Sequence, residues 1–202
     1  MTVTIESPEL VLHSSEATWD REQWDALPND GRRYEIINGV LYMSTAPTPW
    51  HQWISRQAQR LLYVQIDDRG LGITFNAPVG LFMPGCDPVQ PDLLVLRPED
   101  RDLIMERRIE TIPLVLVEIL SPSNAQYDLI LKRQAYARAG VPEYWVLRPQ
   151  ERDILVHSEP DATLGDFLHV LRIAADGELH SPTLPFHTPV AAFFALPGTI
   201  TA

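Results

Sequence analysis

The chain has 202 residues, 45% of them apolar, enough to bury one sizeable core without disulfides or a structural metal. Its one cysteine, Cys86, excludes an internal disulfide framework, and no run approaches the roughly 18 apolar residues of a membrane span. The formal charge of −11 argues against strong, sequence-independent affinity for nucleic acid. That charge is uneven: residues 1–30 carry seven acids against Arg21 alone, leaving −5 for the other 172 residues. From Arg97 to Arg148 eight bases face eight acids, with no basic stripe. The start lacks a basic region followed by an apolar run, so a reducing, cytoplasmic setting is expected. An acidic N-terminal segment, 1–17, should precede a single domain over 18–202.

In chain order, Thr18 is the expected cap of a short helix with Asp20 and Glu22 in its first turn, ending near Leu27-Pro28. Arg33–Ile37 and Val40–Tyr42 flank Asn38-Gly39, a strong hairpin signal. Pro49 opens an amphipathic helix carrying Ile54, Ala58, Leu61 and Leu62, with Gly70 after its end. A second hairpin is expected from Ile73 through Pro84-Gly85 to Leu96, confined to an edge or an irregular start by Pro88 and Pro91. Leu114–Leu120 is apolar on both faces except at Glu118, the pattern of a central strand. Ser123 with Gln126 makes a capping box for a helix that Gly140 stops after Ala139. Tyr144–Leu147 and Ile154–His157 pair across Arg148-Pro149, followed by Phe167–Ile173, a turn at Asp176-Gly177 and a short segment at Val190–Ala195. The succession implies an α/β protein with a mixed β-sheet flanked by helices and additional β-hairpins.

Glu118 is the sharpest chemical feature, because an ionised carboxylate in a buried strand costs several kcal/mol unless a partner or metal compensates. The plain alternative is a strand-end residue bonded to a backbone cap or an arginine. Asp92 follows Gln90-Pro91 and opens the run Leu93–Leu96; alone it is a weak signal, because an Asp after Pro is more often a turn or cap residue. As a pair at the ends of neighbouring strands, the two acids could hold one Mg²⁺. Fifteen of the sixteen cationic side chains are arginine, and Lys132 is the sole lysine. It shares a helix face with Asp128 and Tyr136, where a compact charge suits a phosphate or an attacking water. The alternative is a surface Asp128–Lys132 ion pair of little worth. Glu35 interrupts the apolar alternation of its strand and could be a third acidic ligand or a solvent-facing residue. His51 could point at phosphate or cap its helix; His157, His169, His180 and His187 show no ligand spacing, and Cys86 reads as inert.

Four strings together resemble one family: Val89-Gln90-Pro91-Asp92-Leu93, Val117–Ser123, Asp128–Lys132 with Tyr136, and Gly140–Trp145. They look like the Uma-type endonuclease family of the restriction-endonuclease-like PD-(D/E)xK superfamily, and the likeness runs from about Thr18 to the end. The resemblance implies a metal-dependent endonuclease that hydrolyses DNA, with Asp92, Glu118 and Lys132 catalytic. Mg²⁺ or Mn²⁺ would be held by Asp92, Glu118 and Glu35, and His51, Gln90 and Ser121 would contact substrate. The superfamily lysine stands two residues after the second acid, where this chain has Leu120; the family's reading moves it to the next helix, at Lys132. A homodimer is expected by analogy with restriction-type nucleases. The rival reading is a catalytically silent binding or regulatory module on the same fold.

Overall fold

The computed structural model describes residues 11–15, 18–28, 30–44, 46–121 and 125–196. The proposed Ser123 cap and the acids before Val11 lie outside them. β1 (Val11–His13) precedes α1 (Arg21–Asp25). Asp20, rather than Thr18, caps α1. Its carboxylate accepts the Gln23 N–H at 2.9 Å while the Gln23 side chain accepts the Asp20 N–H, also at 2.9 Å. Asp20 itself is extended, at φ −132° and ψ −177°, so the helix begins after it, and the Trp19 N–H is given to Gly39 O at 2.9 Å. β2 (Arg33–Ile37) and β3 (Val40–Ser44) pair antiparallel, with Asn38 and Gly39 at φ 52° and 75° in the turn. β1 adds to β3, giving a three-stranded sheet in the order β1-β3-β2.

Thr48 caps α2 (Pro49–Gln65), its hydroxyl accepting the His51 N–H at 3.2 Å, with Pro49 pre-set for the first turn. Gly70, at φ 66°, closes a separate 3-10 turn beyond α2. The expected long hairpin exists as β4 (Ile73–Asn76) against β6 (Leu93–Leu96), and β4 takes the sheet edge. Between them β5 (Gly80–Leu81) pairs parallel with β7 (Arg108–Ile109), a contact invisible in two-residue strands. β8 (Val115–Ile119) is central, antiparallel to β6 and parallel to β9 (Glu143–Arg148). The crossover between β8 and β9 is a π-helical turn, Tyr127–Lys132, running into α3 (Arg133–Ala139), which Gly140 ends at φ 80°. β10 (Asp153–Asp161) and β11 (Asp166–Ile173) extend the main sheet to the order β11-β10-β9-β8-β6-β4. β12 (Glu178–His180), β13 (His187–Pro189) and α4 (Ala191–Phe194) complete the described chain.

Strand alternation divides the core between the two faces of this mixed sheet. Leu93, Val95, Val115, Val117 and Trp145 pack with Ile54, Ala58 and Leu62 of α2 and with Phe193 and Phe194 of α4. Leu94, Leu116, Leu120, Tyr144 and Val146 face Tyr136 and Ala139 of α3, closed by Leu81, Val89 and Ile109. Among the described residues no helix is long and apolar enough to cross a membrane. Leu62 is fully buried and Tyr63 is 54% exposed, so adjacent positions test the packing of α2. Leu62→Ala should cost about 2–5 kcal/mol in urea unfolding, and Tyr63→Ala no more than about 0.5 kcal/mol. Comparable costs at both positions would contradict this orientation of α2.

Candidate active site

Odd-numbered residues of β8 face α2, so Glu118 falls with Leu116 and Leu120 beneath α3. It is only 2% exposed. Lys132 Nζ lies 2.9 Å from Glu118 Oε1, and the Tyr136 hydroxyl donates to the same oxygen at 2.8 Å. The ammonium also reaches Glu35 Oε1 at 2.9 Å and Asp128 Oδ1 at 3.6 Å. Asp128 and Lys132 are both buried, so they are not the surface ion pair that helical spacing alone allows. Glu35 likewise faces inward and is not a solvent-facing strand residue.

A second group forms around Asp92, whose Oδ2 accepts the Ile119 N–H at 2.8 Å and lies 3.1 Å from His51 Nε2. Arg33 Nη1 binds Asp92 Oδ1 at 2.7 Å, and its other terminal nitrogen donates to Gln90 O. The Gln90 N–H in turn donates to Glu35 Oε1 at 2.8 Å, which joins the two groups. The Gln90 side-chain oxygen and Arg33 Nε are buried and make no hydrogen bond among the described residues. Ser121 is buried just past the end of β8. The seven residues singled out from the sequence therefore lie within or beside one network. Arg33 was not foreseen; its only sequence signal is the i, i+2 spacing to Glu35, which places both on one face of β2.

Burial pushes the Glu118 carboxyl up to about 8; Asp128, Asp92 and Glu35 push the same way, and Lys132 opposes them. Asp128 rises to about 7, again chiefly through burial, with Asp92 and Glu35 adding to it. At Asp92 burial acts upward too, yet Arg33 and His51 overcome it and hold that group well below the ordinary carboxylate range. Burial would deprotonate Lys132, but Glu118, Glu35 and Asp128 outweigh it and keep the ammonium charged. Four carboxylates thus share two fixed cations, which leaves two negative charges unmatched when all are ionised.

That donor set fits a hard divalent cation in chemistry and in charge, since Mg²⁺ and Mn²⁺ prefer carboxylate oxygen. Among the described residues no three acidic, histidine or cysteine side chains form a ready-made metal cage, so binding would require the ion pairs to loosen. Asp92, His51 and Arg33 border a cleft of about 960 Å³, while Glu35, Asp128 and Lys132 border a separate recess of about 10 Å³. The recess is about the size of one water. Burial raises the Cys86 thiol to about 12, which argues against nucleophilic use.

A family described as "Putative restriction endonuclease", Uma2, matches residues 21–190. The chain belongs to the Uma2 family. A solved structure described as that of a "putative nuclease belonging to DUF820" from Anabaena variabilis ATCC 29413 is similar in fold. The two share a TM-score of 0.72 at 17% identity, over 86% of this chain and 96% of that one. No curated protein sequence matches the chain. The mixed sheet with its flanking helices is thus a nuclease-type fold, as the four Uma2-like strings imply, and membership supports a nuclease-like activity on nucleic acid.

The raised carboxyls give stability a defined slope with pH. An unfolded Glu or Asp loses its proton near pH 4, whereas the folded protein keeps protons on Glu118 and Asp128 up to about 8 and 7. The folded state binds more protons in that window, so stability falls as pH rises from about 5 to 8. His157, lowered to about 4 chiefly by burial, acts oppositely below pH 6.5, so the upper half of the window is the cleaner one. Between pH 6.5 and 8 the metal-free protein should lose up to about 1.4 kcal/mol per pH unit for each retained proton, measured by urea unfolding. Glu118→Gln should flatten that slope. Parallel slopes in the two proteins would show that Glu118 ionises normally.

Proposed function

We propose that this chain is a metal-dependent endonuclease that hydrolyses phosphodiester bonds in DNA, with its chemistry centred on Asp92, Glu118 and Lys132. The observation that carries the reading is the meeting of Glu118, Glu35 and Asp128 on the sole lysine beside Asp92, four buried carboxyl groups served by two fixed cations. Replacing a buried ionic cluster by apolar side chains is often neutral or stabilising, so folding alone gives little reason to keep one.

Asp92, Glu118 and Glu35 would hold Mg²⁺ or Mn²⁺. When bound, the ion supplies Lewis acidity toward the phosphoryl oxygens and a water of lowered pKa. Lys132, its proton held by three carboxylates, would orient the attacking water and offset negative charge developing on the phosphoryl oxygens. Tyr136 restrains the Glu118 carboxylate through its hydroxyl. His51, which borders the cleft beside Asp92, would meet a phosphate, with Gln90 and Ser121 as further candidates for substrate contact. Pairing of two copies would bring two such sites to one nucleic acid. The silent-module reading is favoured by one observation: Arg33 and Lys132 already neutralise part of the acidic set.

Millimolar Mn²⁺ should raise the melting temperature of the wild type but not of Glu118→Gln, through linkage between binding and folding. Asp92→Ala and Glu118→Ala should each lower Mn²⁺-dependent cleavage of plasmid or oligonucleotide DNA by at least about 100-fold, with circular dichroism unchanged. A wild type inert on duplex, nicked and single-stranded DNA would transfer the assignment to the silent module.

Lys132→Arg should lose most activity despite keeping the charge, because a planar guanidinium does not replace a compact ammonium among three carboxylates. Lys132→Met separates charge from shape. Undiminished cleavage by a folded Lys132→Met protein would remove lysine from the mechanism.

A further inference from the structure

The cleft beside Asp92 has features that the acidic network does not explain. At about 960 Å³ it lies near the upper end of pockets that enclose small ligands, about 300–1,000 Å³. That is room for a few nucleotides and far too little for a double helix. Glu118 and Lys132 are 2% and 3% exposed, so a phosphate resting on the outer surface does not reach them. From the cleft, a phosphate would meet Arg33 and His51, the cleft residues that touch Asp92. A duplex, stiff over about 150 base pairs, cannot bring one backbone down such an opening without unpairing.

The walls suit a stripped strand. Arg56 makes no ion pair among the described residues, and its guanidinium lies over the Trp53 ring at 5.3 Å. That contact leaves a planar cation facing the cleft, the kind of surface on which an unpaired base stacks. Arg32 Nε lies 3.5 Å from Asp30 Oδ2 in an exposed pairing and its Nη1 donates to Met43 Sδ at 3.6 Å, contacts weak enough to yield to a phosphate. Gln52 and Asn76 add amides, and α2 runs along the cleft with His51, Gln52, Ser55, Arg56 and Gln59 on its wall. Three arginines against Asp30 and Asp92 give the cleft a small positive excess in a chain of net −11. So few cations suit contact with two or three phosphates, not the dense charge of a duplex.

We propose that this cleft is a binding groove for a short single-stranded segment of nucleic acid, with Arg56 as its stacking platform and Arg32 as a phosphate contact. Binding of the strand rests on the cleft alone, whereas its cleavage once bound rests on the nuclease reading. The two are tested by different readouts.

Fluorescence anisotropy in EDTA at low salt would compare labelled oligothymidylate and oligouridylate of about eight nucleotides with a blunt duplex of similar length. Either single strand should bind at least about tenfold tighter than the duplex, and the preferred one separates DNA from RNA. Arg56→Ala should weaken strand binding by about 5- to 100-fold and Arg32→Ala by less, with a shallower salt dependence in both. Arg152→Ala, in an exposed turn far along the chain, should bind like the wild type. Equal or tighter duplex binding, no binding of any probe, or an Arg56→Ala protein that binds normally would each overturn the groove. Arg56-dependent strand binding with no cleavage in Mn²⁺ would keep the groove and remove the nuclease. Cleavage of intact duplex as fast as single strand would keep the nuclease and remove the groove.

Discussion

The site depends on an ion pair in an apolar layer, the Glu118 carboxylate against the Lys132 ammonium at 2.9 Å. Each group is nearly sealed from water, so loss of either leaves the other to its remaining buried partners. Their meeting requires β8 to present Glu118 on one face and the crossover to β9 to lay Lys132 over it. The parallel pairing of β8 with β9 makes that crossover obligatory, since parallel neighbours need a long connection. Tyr136, Asp128 and Tyr144 then fit around the pair: two bond to its members, and the Tyr144 hydroxyl holds the Asp128 carbonyl at 3.0 Å.

The small N-terminal sheet completes this arrangement from outside. β2 contributes both Arg33 and Glu35, and the Ile36 N–H donates to Pro88 O at 2.7 Å, docking the sheet on the segment that leads to Asp92. Gln90 works through its backbone as the link, accepting from Arg33 and donating to Glu35. A layer peripheral to the main sheet therefore supplies one carboxylate and one counter-cation to a centre built by β6, β8 and the crossover. The two cations also divide the carboxylates. Asp92 is held ionised by Arg33 and His51, whereas Glu118 and Asp128 share one ammonium with Glu35 and are drawn toward protonation. Such separation of neighbouring carboxyls is characteristic of sites that exchange charge with a ligand.

Much of the frame was legible because it obeys local rules. The Asn38-Gly39 turn, the Pro49 start of α2, the Gly140 stop of α3 and the central place of β8 arise from φ preferences, caps and periodicity. Glu118 as the discordant residue of an apolar strand, and Lys132 as the one lysine among arginines, were visible for the same reason. The Thr18 cap was displaced because Asp20 forms a reciprocal box, with the Trp19 N–H given to the Asn38-Gly39 turn. β1, β5 and β7 were beyond reach, since strands of two or three residues carry no period and are defined only by partners.

The sequence alone thus specified which residues are chemically out of place, through patterns that span a few positions. Tertiary structure decided which of them meet. Arg33 reaches Asp92 across 59 residues of chain, and Glu35 and Lys132 converge from different layers. Sheet order and register set those distances, and no local spacing encodes them. The same folding decided that Asp128 and Lys132 are buried partners in a cluster, not an exposed helical pair, because only packing against β8 removes that face from water.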